Sequence, residues 1–113
     1  MQTRLVHPTD FQILEALTDG RRDTAANLAV TIGKDRNYLN TRLPVLADAG
    51  LVQRIGPADS SGLYQITARG VAAAQNKSLY QADREQFETA LAEQAPLITI
   101  TDPAVHQTSI SDN

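Results

Sequence analysis

Apolar residues return at helical spacing as far as Gly50, change there to a period of two, and resume helical spacing after Thr67. The first set, Phe11, Leu14 and Leu17 with Ile13 beside them, predicts a helix opened by His7-Pro8-Thr9-Asp10, running to about Thr18 and stopped by Asp19-Gly20. Pro8 suits a first turn, where an amide would have no helical partner, and Asp10 is favourable near the positive end of the helix dipole. Thr24 is the N-cap candidate of a short second helix in which Leu28 and Ile32 stand one turn apart. Gly33 ends that helix, because glycine enters the left-handed region without a Cβ clash. Asp35 is the next N-cap candidate, opening a third helix from Arg36 to Ala49 that buries Leu39, Leu43 and Leu46, with Gly50 as its stop. Pro44 falls inside this helix and has no amide for the carbonyl of Asn40, at a cost of order 3 kcal/mol in an ideal interior. Either the helix bends there or it is shorter, which leaves the placement of Thr41 and Arg42 open.

Leu51 to Ile55 and Leu63 to Thr67 read as strands, and Gly56 to Gly62 between them is turn chemistry throughout, so an antiparallel hairpin with a long tip is expected. Thr67 is placed to cap a further helix from Ala68 to about Asn76. A C-terminal helix from about Ser78 to Ala95 sets Tyr80, Phe87 and Leu91 near one face, and Pro96 closes it. Leu97 to Asn113 combines a β-prone Leu-Ile-Thr-Ile-Thr run with Pro103 and polar residues, and reads as a loosely ordered tail.

Composition narrows the function classes. A chain of 113 residues is one domain with extensions, and with 42% hydrophobic but only 4% aromatic residues its core must be mainly aliphatic. There is no cysteine, and His7 and His106 are far apart, so no metal or cofactor is expected. No apolar run approaches the length of a membrane span and the Met-Gln-Thr-Arg start has no secretory character, so a cytoplasmic protein is expected. The net charge of −3 is unevenly spread: residues 1–78 hold nine basic against seven acidic side chains, whereas residues 79–113 hold one against six. The acid is concentrated at the C-terminal end, and the remainder is mildly basic.

Two helices joined by a glycine turn, the second longer and followed at once by a hairpin, is the element order of a winged helix-turn-helix. Three linked strings sharpen it: Ile32-Gly33-Lys34-Asp35-Arg36, then Leu46-Ala47-Asp48-Ala49-Gly50-Leu51-Val52, then Gly62-Leu63-Tyr64-Gln65-Ile66-Thr67-Ala68-Arg69-Gly70. Over about residues 8 to 76 the chain resembles the winged-helix regulators of archaea and bacteria, most closely the haloarchaeal proteins similar to the phage phi-H repressor. The resemblance implies an α+β, mainly helical fold with a three-helix core and a β-hairpin wing, plus a C-terminal helix. The expected organisation is a DNA-binding domain over 1–76, a dimerisation helix over 77–95 and the tail over 96–113.

The resemblance also implies that the third helix enters the major groove of double-stranded DNA while the hairpin tip touches the flanking backbone. With Leu39 and Leu43 inward, Arg36, Asn37, Asn40 and Thr41 face outward. Arg suits guanine O6 and N7, and Asn suits adenine N6 and N7, each good pair giving roughly 1–3 kcal/mol of discrimination. Tyr38, Lys34, Arg54, Ser60 and Ser61 are candidates for phosphate contact. The stripe of Tyr80, Phe87 and Leu91 either packs on its own domain or pairs with a second copy, and a homodimer through this helix is expected. The expected function is a sequence-specific transcriptional regulator, a repressor acting by promoter occupancy. The alternative is a winged-helix module that binds protein. No Ser-His-Asp, metal-ligand or phosphate-loop spacing is present, so an enzyme is not expected; Glu15, Asp19 and Asp23 are better explained as a solvated helix face and loop. The preference for Arg over Lys, eight to two, and for Asp over Glu, nine to four, resembles salt adaptation. At molar salt the Debye length is about 3 Å, so binding would lean on base contacts rather than phosphate charge.

Overall fold

Capping interactions within a few residues of each other set most of the helix boundaries in the computed structural model, which describes residues 4–55, 62–101 and 104–107. Helix α1 (Thr9–Ala16) ends before the expected Thr18 and buries Phe11, Ile13 and Leu14. In α2 (Ala25–Ile32) the Thr24 hydroxyl accepts the amide of Asn27 at 3.2 Å, and Gly33 ends the helix at φ +72°. Helix α3 (Arg36–Asp48) begins with the Asp35 carboxylate accepting the amides of Asn37 at 2.7 Å and Tyr38 at 3.4 Å. It continues through Pro44 to Asp48, which excludes the shorter helix. At its end the amide of Leu51 bonds the carbonyl of Leu46 at 2.9 Å and that of Gly50 bonds Ala47 at 3.0 Å, the paired Schellman bonds, with Gly50 at φ +78°.

Three short strands, β1 (Arg22–Thr24), β2 (Val52–Ile55) and β3 (Leu63–Ile66), form an antiparallel sheet in the order β1-β3-β2. The expected hairpin is present as β2 and β3, with Val52 opposite Ile66 and Ile55 opposite Leu63. Strand β1 is not expected from the pattern: Arg22-Asp23-Thr24 has no strand character of its own and becomes one by pairing with Gln65, Tyr64 and Leu63. Gln65 is buried in the middle strand and its side chain donates to the carbonyl of Gly20 at 2.8 Å, tying the loop before β1 to the sheet.

The hairpin returns into α4 (Ala68–Gln75) through a tight joint. The Thr67 hydroxyl accepts the amide of Gly70 at 3.0 Å and donates to the carbonyl of Gly50 at 2.6 Å, while the Thr67 amide donates to the carbonyl of Leu51 at 3.0 Å. Arg69 adds a bond from Nε to the carbonyl of Ala49 at 3.2 Å and an ion pair with Glu88 at 3.2 Å. The C-cap carbonyl of α3, orphaned by helix geometry, and the two carbonyls that follow it are thus satisfied by residues beyond the hairpin.

The C-terminal part departs from expectation in three ways. The single helix expected over 78–95 is two, α5 (Lys77–Ala82) and α6 (Arg84–Gln94), separated by Asp83 in an extended conformation with its carboxylate accepting the amide of Gln86 at 3.1 Å. The stripe of Tyr80, Phe87 and Leu91 is buried in its own chain, continuous with the core of α1 to α4, so it is not a free dimerisation face. Phe11, Tyr80 and Phe87 form an edge-to-face cluster with centroids 5.1–6.4 Å apart. The Tyr80 hydroxyl accepts the amide of Leu5 at 2.7 Å and donates to its carbonyl at 2.9 Å, and Arg84 stacks on the ring at 3.6 Å. Lastly, within the segment expected as a loose tail, a 3-10 turn over Ala95–Leu97 leads to a hairpin of β4 (Ile98–Thr101) and β5 (Ala104–Gln107), with Ile98 buried in the common core. The described residues form an α+β fold of six α-helices, one three-stranded and one two-stranded sheet around that core.

Candidate nucleic-acid interface

At about 100° per residue, the apolar positions of α3 occupy one sector of its circumference and leave the opposite one for solvent. Leu39, Leu43 and Leu46 are fully buried, while Lys34, Arg36, Asn37, Tyr38, Asn40 and Thr41 are all exposed. On the helical wheel Asn37 and Thr41 lie opposite the leucines. Arg36 and Asn40 lie on one flank, and Tyr38 with Val45 on the other. Of the residues expected to face outward, every one does.

Their side chains differ in how free they are. Those of Lys34, Arg36, Asn37 and Asn40 make no hydrogen bond or ion pair among the described residues. The Thr41 hydroxyl donates to the carbonyl of Tyr38 at 2.6 Å, which leaves its lone pairs for an incoming donor. Arg36 and Asn40 line an open depression together with Thr24, Ala25, Ala26, Gly62 and Tyr64, where the start of α2, the first turns of α3 and the return strand of the hairpin meet. The α2 and hairpin residues of this depression were not anticipated. They lie far apart in the chain and carry no shared local signal.

Arg54 is exposed on β2, with its Nε 3.3 Å from the phenol oxygen of Tyr64, the residue opposite it on β3. Ser60 and Ser61 lie outside the described residues. Arg42, whose placement Pro44 left open, turns away from the outward face. Its guanidinium grips the fully buried carboxylate of Asp10 with Nε–Oδ1 at 2.9 Å and Nη2–Oδ2 at 2.7 Å, and Asp10 Oδ2 also accepts the amide of Val6 at 2.7 Å. The Asp10 hydrogen bonds hold the Arg42 pKa above its ordinary value, outweighing burial, which acts in the other direction. Asp10 is therefore an internal ion-pair partner as well as an N-terminal dipole partner of α1. Among the described residues no group of three or more His, Asp or Glu side chains is placed to hold a metal, and no helix is long and apolar enough to cross a membrane.

Compared with protein-family models, characterised proteins and solved structures, the chain shows no match. The class of the protein therefore rests on its own geometry.

Proposed function

We propose that the chain is a winged helix-turn-helix protein that binds double-stranded DNA in a sequence-specific manner and regulates transcription, as a repressor that occupies a promoter. The observation carrying this reading is the solvent face of α3. Arg36, Asn37, Asn40 and Thr41 are exposed in its first turns with no acidic side chain among them, beside a hairpin, on a helix whose opposite side is locked into the core. Such a face presents forked donors and donor–acceptor amides, the groups that match base edges in the major groove. The order α1-β1-α2-α3-β2-β3 supports the winged-helix reading, with β2 and β3 as the wing. The acidic residues of α6 sit on a separate element, which lets a net negative chain approach DNA with its less acidic part.

Binding calls for no cofactor and no catalytic group. Because the Tyr80 stripe is used within the chain, a symmetric dimer on two half-sites would need another surface. The alternative, a protein-binding adaptor, draws on the exposed Tyr38 and Val45 on one flank of α3.

Selection from a random duplex library at moderate and high salt, with the mass in solution measured alongside, tests the proposal. Enrichment of a short motif supports it, and the mass gives one or two copies per site. Absence of any enriched sequence at either salt overturns the groove-reading role of α3 and favours the adaptor.

A further inference from the structure

The Arg42–Asp10 contact is the most directional tertiary interaction made by α3. Two parallel hydrogen bonds of 2.9 and 2.7 Å join a guanidinium to a carboxylate with no solvent exposure, and the second carboxylate oxygen is further fixed by the amide of Val6. Stability alone does not account for it, because a buried ion pair is often matched or exceeded by apolar side chains of similar volume. The leucine seam of α3 is non-directional and tolerates small rotations of the helix about its axis. A planar fork does not.

The fork also falls in the stretch of α3 that lacks a ladder hydrogen bond. Pro44 offers no amide to the carbonyl of Asn40, and the Thr41 hydroxyl crowds the carbonyl of Tyr38, which already lies in the helical ladder. Arg42 lies between them, next in sequence to Thr41 and one turn from Tyr38.

Resting on the DNA-reading assignment above, we propose that Arg42 and Asp10 are positioning residues: their fork sets the rotation of α3 against α1 and so aims Asn37, Asn40 and Thr41 at base edges. Neither touches DNA. The loss of the fork should therefore reduce discrimination between sequences while leaving general attraction to DNA in place.

Arg42→Lys keeps the charge and removes the fork, and two measurements on the full chain test the idea. Affinity of wild type and variant is measured, at one salt concentration, for the duplex enriched from the library and for a scrambled duplex. The expected result is a tenfold or greater loss on the enriched duplex with less than a twofold change on the scrambled one; equal losses on both, or none, overturn the proposal. Amide hydrogen exchange is also followed in the free protein. Faster exchange by tenfold or more at Leu39 to Leu43, with α4 unchanged, is expected; parallel acceleration in α3 and α4 would reduce the pair to general stabilisation, and no acceleration would remove it as a restraint. If wild type enriches no duplex, the DNA-reading assignment fails by itself, and the exchange result alone decides whether the fork holds α3.

Discussion

Gly70→Ala sets helix propensity against packing, and the structure decides the sign. Gly70 is the third residue of α4 and its backbone is helical, so propensity alone predicts that alanine stabilises the protein, by at most about 1 kcal/mol. A Cβ built at Gly70, however, collides with the carbonyl oxygen of Leu51 and comes within 2.7 Å of Ile66 Cγ1. The carbonyl cannot simply move aside. It accepts the Thr67 amide at 3.0 Å, and the neighbouring carbonyl of Gly50 is held by the Thr67 hydroxyl at 2.6 Å. Ile66 is fully buried, so it too has nowhere to go. Overpacking of this kind costs about 1–3 kcal/mol, and disturbing the Thr67 bond about 1 more. Less the propensity gain, the net loss is about 2 kcal/mol, which for a chain of this size lowers Tm by about 8 °C. Thermal unfolding of the two proteins followed by circular dichroism gives the answer. A variant as stable as wild type, or more so, would refute the claim that α4 and the α3–β2 junction at Leu51 touch backbone to backbone at this glycine.

Three further outcomes are expected. Asn37→Ala and Asn40→Ala should each weaken binding to the enriched duplex by roughly fivefold to 150-fold, as about 1–3 kcal/mol per base contact requires, with Tm unchanged because both side chains are exposed; competition binding and a melt check this. Counting Lys34, Arg36 and Arg54 as the cations of the interface, log affinity against log salt should fall with a slope no steeper than about −3, and a slope beyond about −5 in a salt titration would mean that phosphate contacts dominate through other residues. Leu91→Ala should destabilise the chain by about 2–5 kcal/mol, equally at low and high protein concentration, since Leu91 is fully buried in its own core; a loss that depends on concentration would place it between two copies.

The amino-acid sequence by itself determined the parts whose causes lie within a few residues. Thr24, Asp35 and Thr67 cap α2, α3 and α4 through amides two or three positions away, and Gly33 and Gly50 end helices by adopting positive φ, so each boundary is a local event that residue type alone specifies. The alternation after Gly50 marked β2 and β3, and the leucine spacing of α3 assigned its outward residues, because a helix or strand fixes which side chains share a face. The break at Asp83 was missed, although Asp83-Arg84-Glu85-Gln86 carries a local signal for it, its first and last members having the spacing of a capping box. Tertiary structure alone decided the rest. Strand β1 exists only because β3 supplies its hydrogen-bond partners, and the side chains of Arg42 and Asp10 meet across 32 positions of chain. Tyr80, Phe87 and Leu91 present the same apolar stripe whether they face a second copy or their own core; what settled it was that Phe11 and Leu5 stand within reach. Periodicity reports that a face must be covered, and only the folded chain shows by what.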